Sequence, residues 1–304
     1  MTVRQNQEPR YGYVDLHMHS TSSDGTDRPE DLIRCVEKAG IRVFSLTDHD
    51  AISGCETIYR HLYKKDSFRD DSSPLFIPGV EFSCKDSKGK YHILGYGYDM
   101  EAATVNNIVD KAHSLRMDKV RMRLDFLAEQ FDFRFEQKDL DRLLALPNPG
   151  KPHIGNMMVQ YGYANTKEEA IDQYINKKKT PDAYLEPEEA IRAILNSGGI
   201  PVLAHPVFGS GGERIRGVEM EERLIRLMDM GLAGVEAYYS GFSPDMIREM
   251  LSLADKYDLL ITAGSDYHGR NKPVYPGQTN MEAGQEIPAA MKHFFELVGA
   301  AIYL

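Results

Sequence analysis

Short apolar runs alternate with longer stretches in which apolar positions recur every three or four residues. Segments 13–16, 42–46, 75–82, 92–98, 200–204, 234–238 and 259–263 read as strands. Most are continuous apolar runs bounded by Gly, Pro or Asp, the form of strands buried in a parallel sheet. Helical patterns separate most of them. Segments 29–39 and 187–196 open with Pro in the first turn and close at Gly40 and at Ser197-Gly198-Gly199. Segment 219–230 closes at Gly231, and 244–257 follows Ser243, a suitable N-cap. The short polar stretch 85–90, with Gly89, predicts a hairpin turn, so one connection breaks the strand–helix rhythm. Seven strands, mostly joined by helices, predict an α/β protein: a distorted (β/α)7 barrel of the TIM type, one strand short of the usual eight.

One stretch departs from the rhythm. Residues 101–185 show only helical patterns and loops, and carry 13 Lys+Arg against 13 Asp+Glu, so the net charge of −10 resides in the rest of the chain. The expected organisation is a barrel from residues 11–100 and 186–304, with 101–185 a helical insertion covering the active site. Loops and insertions at that end of a barrel commonly shape the pocket.

Composition narrows the function classes. The 304 residues, 42% of them hydrophobic, suffice for one large core. A pI of about 5.5 argues against a broadly basic nucleic-acid-binding surface. An acidic protein that handles an anion needs local positive charge, which bound metal ions can supply. Cys35, Cys55 and Cys84 form no Cys-x-x-Cys pair, which suggests reduced thiols rather than a disulfide framework or a thiolate zinc site. Residues 1–13 are polar without an apolar signal-peptide core, and no apolar run approaches the ~20 residues of a membrane span. The expectation is a cytoplasmic protein with no membrane association, and no stable protein partner is implied.

The histidines change the picture most. Six of ten fall at an end of an expected strand, beside carboxylates. Asp15-Leu16-His17-Met18-His19-Ser20 is followed by Asp24. His17 and His19, two apart in extended chain, point to one side. His49 follows the second strand in Thr47-Asp48-His49-Asp50, and Glu81 lies in Pro78-Gly79-Val80-Glu81. His92 starts the fourth strand, His205 follows the fifth in Ala204-His205-Pro206, and Asp266 and His268 follow the seventh in Gly264-Ser265-Asp266-Tyr267-His268-Gly269. Imidazole and carboxylate are the ligands that Mn²⁺, Fe²⁺ and Zn²⁺ share. Nine such side chains exceed the needs of one ion and suit two or three, with Glu81 able to bridge. His61, His113 and His293 lie on helical patterns without ligand-type neighbours and read as ordinary helix residues. Asp48 is either a partner that orients a ligand or a turn residue, and Glu236 either a buried group or an edge-facing carboxylate. The Lys177-Lys178-Lys179 run reads as a solvated face. No Gly-x-Ser-x-Gly elbow or Walker loop is present.

These motifs, in this order from Tyr13 to about Gly277, resemble those of PHP (polymerase and histidinol phosphatase) domains. The resemblance implies the distorted seven-stranded barrel, with a metal cluster at the strand C-termini. It implies His17, His19, Glu81 and Asp266 on one ion, Asp24, His49 and His268 on a second, and His92 and His205 on a third that Glu81 bridges. The order of motifs is most similar to the stand-alone bacterial TrpH-like or YciV-like branch. Members of that branch are nucleoside 3′,5′-bisphosphate phosphatases or 5′-to-3′ exoribonucleases on short RNA. Where that branch usually reads Gly-Arg-Pro-His-x-Ala-Arg, this chain has Gly150-Lys151-Pro152-His153-Ile154-Gly155-Asn156. Lys and Asn thus replace the two arginines.

The expected activity is metal-dependent hydrolysis of phosphate esters of nucleotides or short oligonucleotides. A water bridging two ions would ionise near neutral pH and attack phosphorus in line. Arg116 and Lys151 are candidates to neutralise phosphate oxygens, and His153 to hydrogen-bond the phosphate or protonate the leaving oxygen. Two rivals are a phosphatase for a small metabolite such as histidinol phosphate, and a non-catalytic metal-stabilised module of a replication assembly. Against the second, all nine ligand positions are filled and no polymerase region follows the last motif.

Overall fold

The computed structural model describes residues 13–63, 73–180, 183–208, 214–282 and 284–300. The polar start at residues 1–12 and the ends of the expected barrel span lie outside them. Seven strands form one sheet in chain order: β1 (Val14–Asp15), β2 (Val43–Leu46), β3 (Leu75–Asp86), β4 (Gly89–Tyr96), β5 (Ile200–Leu203), β6 (Gly234–Tyr239) and β7 (Leu260–Gly264). The helices are α1 (Pro29–Ala39), α2 (Ser53–Leu62), α3 (Ala103–Phe131), α4 (Gln137–Leu144), α5 (Lys151–Gln160), α6 (Lys167–Gln173), α7 (Pro187–Asn196), α8 (Gly217–Asp229), α9 (Pro244–Tyr257) and α10 (Ala289–Leu297). Neighbouring strands run parallel except at β4, which is antiparallel to both β3 and β5. The ends of the sheet meet through Leu16 N–H to Ala263 O (2.8 Å) and Asp266 N–H to His17 O (2.7 Å). The sheet is therefore a seven-stranded barrel, as the apolar runs predict.

The reversal of β4 matters for the site. In a parallel barrel only C-terminal strand ends reach the upper rim. Because β4 runs the other way, its N-terminal half reaches that rim, and His92 there pairs in register with Ser83 of β3. The hairpin turn is tighter than the expected 85–90. The strands run on to Asp86 and restart at Gly89, and Asp86 Oδ1 accepts the N–H groups of Lys88 (2.8 Å) and Gly89 (3.0 Å). Lys85 and Lys90 read as turn because they are polar. They lie on the face of the two-stranded arm that carries Ser83 and His92, while the opposite face, with Cys84 and Tyr91, is fully buried.

Helix ends follow the chain chemistry. Gly40 ends α1 at φ 73°, and Ser243 Oγ accepts the Met246 N–H at the start of α9. α2 and α10 lack such punctuation: their caps, Ile52 and Pro288, make no side-chain hydrogen bond. The described residues between β4 and α7 form α3 to α6, and the first of these helices is shared. Val105, Ile108 and Ala112 of α3 belong to the barrel core, whereas Val120 and Leu127 pack with Leu143, Ile154, Met158 and Ile175 in a separate small core.

Candidate active site

Glu81 is the centre of the arrangement. Its carboxylate, fully buried, lies close to five imidazoles: 3.4 Å from His17 Nε2, 3.2 Å from His19 Nε2, 3.0 Å from His49 Nδ1, 2.8 Å from His92 Nδ1 and 3.1 Å from His205 Nε2. Asp266 Oδ1 lies 3.3 Å from His19 Nε2 and 3.6 Å from His17 Nε2. His268 joins Asp266 to Asp24, 3.3 Å from each. All nine expected ligands thus converge. Their donor atoms form four overlapping groups: His19, Asp24, His49 and His268; His17, His205 and Asp266; His17, His19 and Glu81; and His49, Glu81 and His92.

The donor set fits divalent cations by its own chemistry. Buried polar atoms normally have hydrogen-bond partners. Here His17 Nε2, His19 Nε2, Asp24 Oδ1, His49 Nδ1, Glu81 Oε2 and His205 Nδ1 are buried without one among the described residues. Burial opposes ionisation of Glu81, but His49, His92 and His17 outweigh it and hold the carboxyl well below its usual range. Asp266 is held down likewise by Lys272 and His268, and Asp24 by His268 and His49. Burial pushes His19 and His92 down to about 4. Burial also acts on His17, but the carboxylates of Glu236, Glu81 and Asp266 raise it well above its ordinary value. Burial acts on His49 too, but Glu81 and Asp24 raise it. Ionised carboxylates and neutral imidazoles are the forms that bind metal, and cations would displace the protons that neighbouring carboxylates favour on His17 and His49.

A surrounding layer fixes these side chains. Glu236, fully buried on β6, takes His17 Nδ1 at 2.9 Å and the backbone N–H of His205 at 2.7 Å, which makes it a buried orienting group rather than an edge carboxylate. A Cβ on Gly264 would collide with both His17 and Glu236, so β7 must end in glycine. Asp48 accepts from Ser20 N (2.8 Å), Ser20 Oγ (2.6 Å) and Ser23 Oγ (2.5 Å), and so shapes the loop that carries Asp24. His205 and Asp266 adopt φ values of 27° and 59°, a strained region for non-glycine residues that clusters at functional sites.

Sequence reasoning missed Tyr239, whose hydroxyl donates to Asp266 Oδ2 (2.9 Å), and Lys272, whose ammonium pairs with the same oxygen. Only the position of Lys272, four residues past His268, pointed to it. Asp15 was read only as part of a motif. It accepts from Ser265 N–H (2.9 Å) and Gly277 N–H (2.7 Å), while burial pushes its carboxyl up to about 6.

The insertion touches the same rim. Asn148 Nδ2 donates to His49 O, and Lys167 Nζ donates to Asn271 O (2.9 Å). Arg116 is not a free cation: its Nε and Nη2 donate to Asp50 Oδ2 at 3.0 and 2.6 Å, and Nη2 also reaches Ser83 Oγ at 3.2 Å. Its Nη1 lies beside Gly150. Lys151 donates to Asn176 Oδ1 (2.7 Å). His153 Nδ1 accepts the Gly150 N–H (3.0 Å), which leaves its proton on Nε2, and burial lowers its pKa. His61 and His113 lie on α2 and α3 outside the cluster, and His293 on α10 pairs with Glu296 (3.2 Å). Lys177 and Lys178 sit over rings of the insertion core, Lys177 5.3 Å from the Phe131 centroid and Lys178 5.9 Å from that of Phe126.

Comparison with known proteins agrees with this geometry. The chain is 27% identical over 266 residues to a phosphoribosyl 1,2-cyclic phosphate 1,2-diphosphodiesterase of Eggerthella lenta, covering 84% of this chain and 94% of that one. It is 26% identical to the 5′-3′ exoribonuclease Rnm of Salmonella typhimurium, covering 84% of each. It is 24% identical over 300 residues to a 3′,5′-nucleoside bisphosphate phosphatase of Chromobacterium violaceum, covering 95% and 97%. A structure from Bifidobacterium adolescentis, assigned as a metal-dependent phosphoesterase, shares the fold with a TM-score of 0.78 at 23% identity, covering 95% of this chain and 98% of that one. No helix among the described residues is long and apolar enough to cross a membrane. The PHP domain profile matches residues 15–190, more than half of the sequence, and the chain belongs to the PHP domain family.

Proposed function

We propose that this PHP-family phosphoesterase hydrolyses phosphate esters of nucleotides or short oligonucleotides at a centre of two or three divalent ions (Mn²⁺, Fe²⁺ or Zn²⁺). The observation that carries the reading is Glu81, one buried carboxylate within 3.4 Å of five imidazoles. A carboxylate so surrounded is suited to bridging cations. His17, His19, Asp24, His49, Glu81, His92, His205, Asp266 and His268 would hold them. Bound there, the ions supply an activated water and neutralise charge on the phosphoryl oxygens.

The remaining roles belong to the chain's own groups. Glu236 keeps His17 and the His205 backbone in place. Tyr239 and Lys272 hold one oxygen of Asp266 and leave the other toward His17 and His19. His153, neutral with its proton on Nε2, donates a hydrogen bond to the phosphate or the leaving oxygen. Lys151 adds positive charge, and Arg116 holds Asp50 and Ser83 while offering Nη1. The insertion, which donates to the His49 carbonyl through Asn148, covers the centre.

Two of the relatives, named as an exoribonuclease and as a nucleoside bisphosphate phosphatase, support a nucleotide substrate, while the third is named for a phosphoribosyl cyclic phosphate. The test is a panel assayed with Mn²⁺: a nucleoside 3′,5′-bisphosphate, a 5′-phosphorylated oligoribonucleotide, histidinol phosphate and p-nitrophenyl phosphate. Highest kcat/KM on either nucleotide is expected. Preference for histidinol phosphate would move the substrate to a small metabolite. No turnover of any ester by metal-loaded protein would leave the non-catalytic reading.

A further inference from the structure

Helix α3 carries Arg116, Lys119 and Arg123 at spacings of three and four, hence on one face. All three are more than nine-tenths buried. Arg116 has Asp50 as its counter-ion. Among the described residues, neither Lys119 nor Arg123 has a carboxylate within ion-pair distance, although Asp50 acts on Lys119 from farther off, and Arg123 Nε has no hydrogen-bond partner. The Lys119 ammonium lies 4.1 Å from the centroid of the Tyr184 ring, and Lys90 of β4 lies 5.4 Å from the same centroid. Lys151 of α5 feels the positive charge of Arg123 and Lys90, and among the described residues it donates to a neutral amide, Asn176 Oδ1.

Lys90, Lys119, Arg123 and Lys151 therefore face a common region with one aromatic ring, and among the described residues none of them has a carboxylate within ion-pair distance, Asp50 and Asp172 acting on Lys119 and Lys151 only from farther off. Burying like charges without a counter-ion is costly, and a fold retains such groups where an anion completes them. Burial and neighbouring positive charge push Lys119 down to about 7 and Lys151 down to about 8, a strain that an anion would relieve. The cluster adjoins the metal centre. Ser83, which touches Arg116, lies two residues beyond Glu81 on the same side of β3, about 7 Å along the strand. Lys119 follows Arg116 by one helical turn, about 5 Å.

We propose that Lys119, Arg123 and Lys151, with Tyr184 beneath, form a second anion-binding site that takes a phosphate ester of the substrate other than the one hydrolysed. This rests on the phosphoesterase reading of the metal centre. The second phosphate can belong to the same nucleotide or to the next link of a short RNA.

The experiment uses Mn²⁺-loaded wild type, Arg123→Gln and Lys119→Met. The substrates are adenosine 3′,5′-bisphosphate, a 5′-phosphorylated diadenylate and p-nitrophenyl phosphate. Either substitution should lower kcat/KM by about 10- to 150-fold on a substrate with a second phosphate, the scale of a charge-assisted contact. The loss on p-nitrophenyl phosphate should stay below about threefold. Loss on the bisphosphate alone, or on the diadenylate alone, identifies which second phosphate the site takes. Equal loss on all three substrates, or none on any, overturns the proposal. A second readout is the rise in melting temperature caused by inorganic sulfate, which should shrink in both variants. Without sulfate neither variant should melt below wild type, because neither loses a counter-ion. If wild type turns over nothing, the phosphoesterase reading fails while the sulfate shift still decides the anion site. An undiminished shift in both variants overturns it.

Discussion

The barrel rim and the inner face of α3 solve opposite electrostatic problems. At the rim, the ionised carboxylates of Glu81, Asp266 and Asp24 meet imidazoles at 2.8–3.6 Å, His19 and His92 among them neutral, which leaves net negative charge for a cation to meet. Of the three buried cations on this face of α3, Arg116 alone has a carboxylate within ion-pair distance among the described residues, and Lys119 and Arg123 remain buried without one. The rim is thus built to bind positive charge and the helix face to bind negative charge. A phosphoesterase needs both within one substrate length, and the Asp50–Arg116–Ser83 contacts join them.

The largest effect should come from the rim. His19→Ala and Asp266→Ala each remove a side chain from the shared set around Glu81. Activity on every ester should fall by on the order of 10³-fold or more while the circular dichroism spectrum stays native. Retained turnover in His19→Ala at saturating Mn²⁺ would show that the centre is not assembled as described. Arg116→Ala attacks the link between the regions. It leaves Asp50 buried without a counter-ion, a loss of about 3–5 kcal/mol in chemical denaturation. All substrates should suffer together, unlike the selective loss at Arg123. A stable Arg116→Ala protein with selective loss would move the anion site to Arg116.

Glu236→Gln probes the layer behind the ligands. The shape is kept but the charge facing His17 is lost. Mn²⁺ affinity should fall about 10- to 100-fold by equilibrium titration, as when a group orienting a metal-ligating histidine is removed. The smallest effect concerns pH. Lys119 is held at about 7 in the native state against 10.5 ordinarily, by burial and by Arg116, Arg123 and Lys151, opposed by Asp50. The unfolded chain keeps its proton to higher pH, so the penalty for burying the charge is complete below pH 7 and relieved as pH rises toward 10.5. Lys119→Met should therefore gain most over wild type at pH 7 and less at pH 9. A gap that widens with pH would contradict this sign. His293→Ala, exposed on α10, should match wild type throughout.

The two regions also differ in how far they could be read from sequence. The rim was legible because its ligands sit within a few residues of strand ends, and the strands were marked by apolar runs. His17 and His19 share a side through a two-residue spacing that needs no tertiary knowledge. The α3 face was not legible in the same way. Arg116, Lys119 and Arg123 look like ordinary surface cations of a long helix with an undistinguished apolar stripe. What makes Lys119 and Arg123 unusual is that no described carboxylate lies within ion-pair distance of them, which depends on how α3, α5 and the β3–β4 arm pack. Arg116 was expected to meet phosphate because Asp50, 66 positions earlier, gave no sign that it would take the guanidinium. Glu236 stood as two open readings until the fold placed it against His17.

Glu81 and the imidazoles around it would hold more than one ion. Protein purified without chelator, or reconstituted with excess Mn²⁺ and desalted, can be analysed for Mn, Fe and Zn by inductively coupled plasma mass spectrometry. The expected result is more than one equivalent of metal per chain, falling in Glu81→Gln to one or less. One equivalent or fewer in the reconstituted wild type would contradict the multinuclear centre.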